Sequence, residues 1–265
     1  MTLRHFTAFL QLPVATLALV LIFGVSFAPP IQAGTIVIDD FSGPQDPETF
    51  VVGMANPGPL LVKQQASGVL GGERDLLLEL LGTAGPVSAA MTVGGGTLGL
   101  LTGSPGSMLA LQYDGFGPGD ADSSSGLFNH EGLCVDLSDG GQNHQFQIDM
   151  LSLDAGPGMD AIDLVVEVTS YDGTAVYTGA MGENANPFTY IIDLDDFETA
   201  GDFSWGSVTS VGFLFNVGGQ MAVDFVLDSL TVTVPEPSSL ILALPGSLAA
   251  FWLASRRRSP AGRSA

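Results

Sequence analysis

Val223-Asp224-Phe225-Val226-Leu227-Asp228-Ser229-Leu230-Thr231-Val232-Thr233-Val234 is the stretch that decides the fold. Val223, Phe225 and Leu227 alternate with Asp224, Val226 and Asp228, and Leu230, Val232 and Val234 continue the alternation. A period of two places successive side chains on opposite faces of a strand. Phe146, Ile148 and Met150 alternate in the same way with Gln147 and Asp149. The valine-rich run 162–169 ends at Tyr171-Asp172-Gly173, a turn signal, and 175–178 resumes it, so a hairpin is expected there. Strands are also expected over 188–194 and 208–217, and over 35–38, 75–81, 91–101 and 108–113 in the first half. The run Leu76-Leu77-Leu78-Glu79-Leu80-Leu81 has helical propensity, but Gly72 and Gly82 bound it tightly, and a buried strand fits better. A short helical turn is expected over 194–200. Gly94-Gly95-Gly96 and 115–126 read as loops. Nine or ten short strands between glycine- and proline-rich turns predict an all-β antiparallel sandwich over residues 34–233.

The two ends read differently. Val234-Pro235-Glu236-Pro237 opens a span with no charged residue from Pro237 to Ser255, nineteen residues, closed by Arg256, Arg257 and Arg258. As a helix such a span is roughly 28 Å long, about the thickness of a bilayer's hydrocarbon core. The arginines resist crossing, which leaves them on the cytoplasmic side, with 259–265 as a short cytoplasmic tail. In its order of Pro-Glu-Pro triplet, single transmembrane helix and terminal basic cluster, segment 234–258 resembles a PEP-CTERM sorting signal. That resemblance implies recognition by an exosortase, a membrane transpeptidase-like protease, and cleavage near Pro235, Glu236 and Pro237.

Residues 1–33 read as a signal peptide with a helical apolar core. Arg4 and His5 precede an uncharged apolar stretch over 6–27, Pro29 and Pro30 break any helix, and Ala33 offers a small residue at the cleavage position. Both basic ends then lie on the cytoplasmic face and the middle of the chain faces outward.

Between the ends the charge is lopsided. Of seven basic residues only Lys63 and Arg74 fall within 34–234, against 27 acidic ones, which leaves a charge of −25 on the body. Nucleic acid and anionic surfaces are poor partners for such a field, whereas solubility and divalent cations are well served by it. The single cysteine, Cys134 in Leu133-Cys134-Val135, forms no disulfide within the chain and is expected to be a buried, inert thiol.

Asp39-Asp40-Phe41, Gly72-Glu73-Arg74-Asp75 and Asp224-Phe225-Val226-Leu227-Asp228 together resemble the galactose-binding-like jelly rolls of carbohydrate-binding modules. In those folds an N-terminal strand with an Asp-Phe pair lies beside the last strand. The resemblance implies a structural Ca²⁺ tying the terminal segments together, with Asp39, Asp40, Glu73 and Asp228 as ligands. Trp205, in Phe203-Ser204-Trp205-Gly206, is the loop aromatic available to stack on a sugar ring or to plug the open end of the sandwich. Arg74, flanked by Glu73 and Asp75, reads as an arginine held in a carboxylate fork.

Catalytic patterns are absent. There is no Gly-x-Ser-x-Gly elbow, no His-Glu-x-x-His pair, no phosphate-cradling Gly-x-x-x-x-Gly-Lys loop and no EF-hand; His130 and His144 read as surface residues. The expectation is an exported, non-enzymatic protein of the cell surface or extracellular matrix. Glycan binding and a part in exopolysaccharide or biofilm assembly accompany that expectation, after an inner-membrane intermediate. The alternatives are a secreted polysaccharide hydrolase and a ligand-free coat protein.

Overall fold

In the computed structural model, residues 34–53, 58–81, 88–103, 106–115 and 132–233 are described. Among them lie fourteen strands: β1 (Thr35–Asp39), β2 (Glu48–Gly53), β3 (Leu60–Gln65), β4 (Glu73–Leu80), β5 (Ser88–Gly94), β6 (Thr97–Thr102), β7 (Ser107–Tyr113), β8 (Gln145–Asp154), β9 (Ala161–Ser170), β10 (Gly173–Gly182), β11 (Phe188–Asp193), β12 (Glu198–Gly201), β13 (Val208–Phe215) and β14 (Asp224–Thr233). They form two seven-stranded sheets. Sheet A runs β11-β8-β14-β6-β5-β2, with β1 also on β14; sheet B runs β12-β10-β9-β13-β7-β4-β3. Every ladder is antiparallel. This is the expected all-β sandwich.

The alternation in β14 explains how it sits. Phe225 and Leu227 face the core, and so do Leu230 and Val232, which puts two core positions an odd number of residues apart. The ladder to β8 slips between Val226 and Leu227 and again between Leu227 and Ser229. A bulge adds a residue and turns the chain over, so both halves point the same way. Asp228 falls at this irregularity and is exposed. β1 lies antiparallel beside β14, Thr35 opposite Thr233, which is the neighbour relation the jelly-roll resemblance implies.

The core between the sheets is closely packed with aromatic rings. Phe213 on β13 meets Tyr113 edge-on at 6.3 Å, Phe146 at 6.1 Å and Phe215 at 6.4 Å, and Phe215 reaches Phe225 of sheet A at 5.3 Å. Such pairs favour edge-to-face and offset contacts within about 7 Å.

Several expectations need adjusting. The run 91–101 is two strands, β5 and β6, turned at Gly95 and Gly96. β2, β3 and β12 were not expected. β2 and β3 are the outermost strands of their sheets at one side and β12 is at the other side of sheet B, so they need no clean alternation; every residue of β12 is exposed. In 194–200 only Leu194–Asp196 is a 3-10 turn, and β12 follows it. Cys134 is exposed rather than buried, because Leu133 turns inward and Val135 bridges to Val208, which leaves the residue between them facing out; its Sγ lies 2.6 Å from the Tyr171 hydroxyl. Among the described residues no helix is long and apolar enough to cross a membrane. The expected signal peptide, the expected span and the sorting residues Pro235, Glu236, Pro237, Arg256, Arg257 and Arg258 lie outside the described residues.

Candidate functional site

One group of the buried polar residues lies in two layers at one end of β4 and β7. Alternation along β4 sends Arg74, Leu76 and Leu78 into the core and Glu73 and Asp75 to the outer face of sheet B. On β7, Leu109, Leu111 and Tyr113 go in and Gln112 goes out.

The inner layer is a sealed ion pair between the sheets. Arg74 and Asp39 are both fully buried, with Nη1 3.2 Å from Oδ2. Arg74 Nη2 donates to the Gly43 carbonyl at 2.8 Å, and its guanidinium lies 5.4 Å from the Phe41 ring centre. The Tyr113 hydroxyl donates to Asp39 Oδ2 at 2.9 Å, and the Phe41 N–H donates to Asp39 Oδ1 at 2.8 Å. Phe41 holds a left-handed φ of 49°, uncommon outside glycine. The fork expected for Arg74 is not formed: a single contact, Nη1 to Oδ2, joins it to a carboxylate that comes from β1 rather than from Glu73 or Asp75, whose side chains point the other way, and Nε and Nη1 have no hydrogen-bond partner among the described residues.

Burial pushes the Asp39 carboxyl up to about 6, against the opposing pull of Arg74, the Phe41 amide and Tyr113. Burial, and then the charge of Asp75, also raises Asp114 to about 6. A carboxyl whose folded value is raised binds its proton more tightly folded than unfolded. Its contribution is therefore fully present below the unfolded value near 3.8 and is lost as pH rises through about 6. Asp40 and Asp136 are held below the usual value by bonds led by those from Ser42 and Ser138, and they act in the opposite sense at lower pH. Unfolding free energy should therefore drop by about 1–3 kcal/mol between about pH 4.5 and about pH 7.5, mainly through Asp39. Urea titrations across that range would show it, and a profile that rises with pH would contradict it.

The outer layer is a row across sheet B. Lys63 of β3 is register-paired with Asp75 of β4, Asp75 with Gln112 of β7, Gln112 with Gly212 of β13, and Gly212 with Glu167 of β9. One step along, Ser210 of β13 pairs with Thr169 of β9. Lys63 Nζ stands 3.7 Å from Asp75 and 4.0 Å from Glu73; Gln65 donates to Glu73 at 3.5 Å and Gln112 to Asp114 at 3.1 Å. Asp75 and Thr169 are only 6% and 7% exposed, yet Asp75 Oδ1 and Thr169 Oγ1 have no hydrogen-bond partner. Native structures rarely leave such atoms unsatisfied. Burial raises the Asp75 carboxyl, with Lys63 pulling it back and Glu73 adding to the rise.

The four carboxylates expected to share Ca²⁺ are placed as follows. Asp39 faces inward on Arg74; Asp40, next to it, accepts from the Ser42 amide at 2.9 Å, where Gly68, at φ 92°, leaves room for its carboxylate. Glu73 lies on the outer face of sheet B beside Lys63, and Asp228 is exposed on sheet A. Among the described residues no three His, Cys, Asp or Glu side chains form a group able to hold a metal ion. With Asp39 already bound by a guanidinium, a hydroxyl and an amide, these donors do not fit one shared ion.

Trp205 opens the 3-10 turn Trp205–Ser207 and is half-buried. Its ring meets Phe203 at 4.8 Å and Phe197 at 5.2 Å, both edge-on, and Phe146 at 6.0 Å. Those contacts join it to the core. His144 is exposed. The outer face of sheet A has a depression of about 390 Å³ between Thr49, Thr92, Gly99, Leu101, Ser152 and Asp224.

Asp75, Gln112, Asp114 and Thr169 escaped the sequence reading. The only signal the first three leave is a polar residue on either side of an inward one, Glu73-Arg74-Asp75 and Gln112-Tyr113-Asp114, and Thr169 leaves none.

No protein-family model and no curated protein matches the chain. Among solved structures, a family 11 carbohydrate-binding module from Clostridium thermocellum, in complex with a β-1,3-1,4-mixed-linked tetrasaccharide, is 12% identical with a TM-score of 0.34, over 75% of this chain and 95% of that one. A family 29 carbohydrate-binding module gives the same identity and score over 77% and 90%. An arabinose-bound α-L-arabinofuranosidase is 9% identical with a TM-score of 0.30, over 64% of this chain and 23% of that one. A likeness this loose carries no argument about a ligand or an activity.

Proposed function

We propose that this chain is an exported, non-enzymatic protein of the cell surface or extracellular matrix whose sandwich binds polysaccharide through the outer face of sheet B. The supporting observation is the row of ordered, largely buried polar side chains there, with Asp75 Oδ1 and Thr169 Oγ1 lacking partners. Hydroxyl-rich ligands are recognised by fixed donors and acceptors, and a site built to pair them rejects ligands that leave its polar atoms unmatched. The row crosses five adjacent strands, a direction along which a glycan chain could lie.

Delivery rests on the sequence alone. The leader over 1–33 exports the chain, the segment 234–258 holds it in the inner membrane, and an exosortase-type protease releases it near Pro235–Pro237 into the exopolysaccharide or biofilm matrix. Mass spectrometry of the mature protein checks this: both termini should be trimmed, and an intact chain would refute it.

For the binding face, calorimetry on a polysaccharide panel should find a ligand whose affinity falls about tenfold or more in Asp75→Ala and in Gln112→Ala. Leu101→Ser, on the opposite sheet and 60% exposed, should leave it unchanged. Failure to bind any glycan, or turnover of one, would overturn this reading.

A further inference from the structure

We propose that the ligand of the outer face of sheet B is an amino-sugar polymer with free amines, held through Asp75 and Asp114. The inference rests on the glycan-binding reading and names the class of glycan.

Charge is the first ground. The body carries 27 acidic residues against two basic ones. Arg74 is sealed in the core on Asp39, and Lys63 already stands between Glu73 and Asp75. Uronate and sulfate polymers would approach a strongly repelling surface, and a cationic polymer would be drawn to it.

The face itself is the second ground. Around Asp75 stand Lys63 from β3, Glu73 on its own strand and Asp114 just past β7; farther along the row β13 contributes Ser210 and Gly212, which carry no charge, and Glu167 of β9 lies three strands away. Three carboxylates thus share one ammonium. Asp75 is more than nine-tenths buried and its Oδ1 receives no hydrogen bond, while Thr169 Oγ1 is a second buried atom without a partner on the same face. A buried carboxylate oxygen lacking both a donor and a full counter-charge is costly. An ammonium group brings three donors and a compact positive charge, which suits that oxygen, and the sugar's hydroxyls can serve Thr169. An N-acetylated sugar offers one neutral N–H and no charge.

The raised carboxyls of Asp75 and Asp114 agree with this. A bound cation favours their ionised forms, so uptake should weaken as pH falls through about 6, the Asp114 value. The amine acts in the opposite direction and at higher pH, where it loses its proton, since amines of this type are charged throughout that acidic window.

Calorimetry of the full chain with a fully deacetylated glucosamine tetramer and with its N-acetylated counterpart, at near-neutral pH, tests the idea. The free-amine tetramer should bind about tenfold or more tightly, and lose about tenfold in Asp75→Asn, in Asp114→Asn and on acidification to about pH 5. Asp114→Asn lies past the end of β7 and keeps the test open if Asp75→Asn unfolds. Equal binding of the two tetramers, or binding only of other glycans on the panel, would overturn the amine requirement and leave glycan binding standing. No binding of any glycan would overturn both. Polylysine that binds as tightly as the free-amine tetramer and ignores both substitutions would mean attraction by overall charge, and would overturn the proposed site.

Discussion

Arg74→Met is expected to lower the unfolding free energy by about 3–5 kcal/mol at near-neutral pH, because it leaves Asp39 buried with no counter-charge, to stay ionised unpaired or to take up a proton. Methionine fills much of the same space, so the loss reports the charge rather than a cavity. Asp39 keeps the Phe41 amide and the Tyr113 hydroxyl but loses its salt bridge to Arg74. The Gly43 carbonyl loses its donor as well. Without Arg74 the carboxyl should move further up, beyond about 6, so the deficit should shrink at about pH 4.5, where Asp39 is protonated. Adding Asp39→Asn, whose Oδ1 still accepts from the Phe41 amide while its Nδ2 donates to the Tyr113 hydroxyl oxygen, should recover a large part of the loss at neutral pH. Urea unfolding of the three proteins at two pH values measures all of this. A single variant within about 1 kcal/mol of the parent would show that the pair is not the tie between sheets described above.

Phe213→Ala should cost about 3–5 kcal/mol, the range for a large buried aromatic replaced by a methyl group. Phe213 sits on β13, in the middle of sheet B, and its ring touches Tyr113, Phe146 and Phe215. Strands on both sides of it are locked in long ladders, so the cavity has little freedom to collapse. For a domain of this size the melting temperature should fall by roughly 6–20 °C. Leu101→Ala, at an exposed position, should stay within about 0.5 kcal/mol. A loss below about 1.5 kcal/mol for Phe213→Ala would mean that the aromatic core is far more compliant than its contacts indicate.

The central strands were legible because each has one buried face, and burial writes a period of two into the sequence. β8, β9, β13 and β14 are of this kind. Outermost strands escape that rule: β12 is Glu-Thr-Ala-Gly with nothing buried, and β3 passes from Leu-Leu-Val to Lys-Gln-Gln within six residues. The bulge in β14 was hidden too, although the change from Leu227 to Leu230 as successive core positions marks it. The jelly-roll resemblance placed β1 beside β14 correctly. It drew four carboxylates from its three short motifs, and alternation then sent Asp39 inward and Glu73 outward. Trp205 drew notice as a loop aromatic, but three neighbouring rings hold it at the margin of the core. The polar row of sheet B depends on which outward positions align across β4, β7, β13 and β9. That alignment is set by ladder registers between segments far apart in the chain, and no local pattern encodes it.

The pairing of Thr35 with Thr233 means that the chain enters and leaves the sandwich at a single pole. β14, the strand that leads out, is flanked by β8 along one side and by β6 and β1 along the other. Traction on a tether beyond residue 233 would therefore run along the axis of an interior strand. To pull it free, both ladders must slide at once, with all their bonds strained in parallel, whereas an outermost strand peels away one bond at a time.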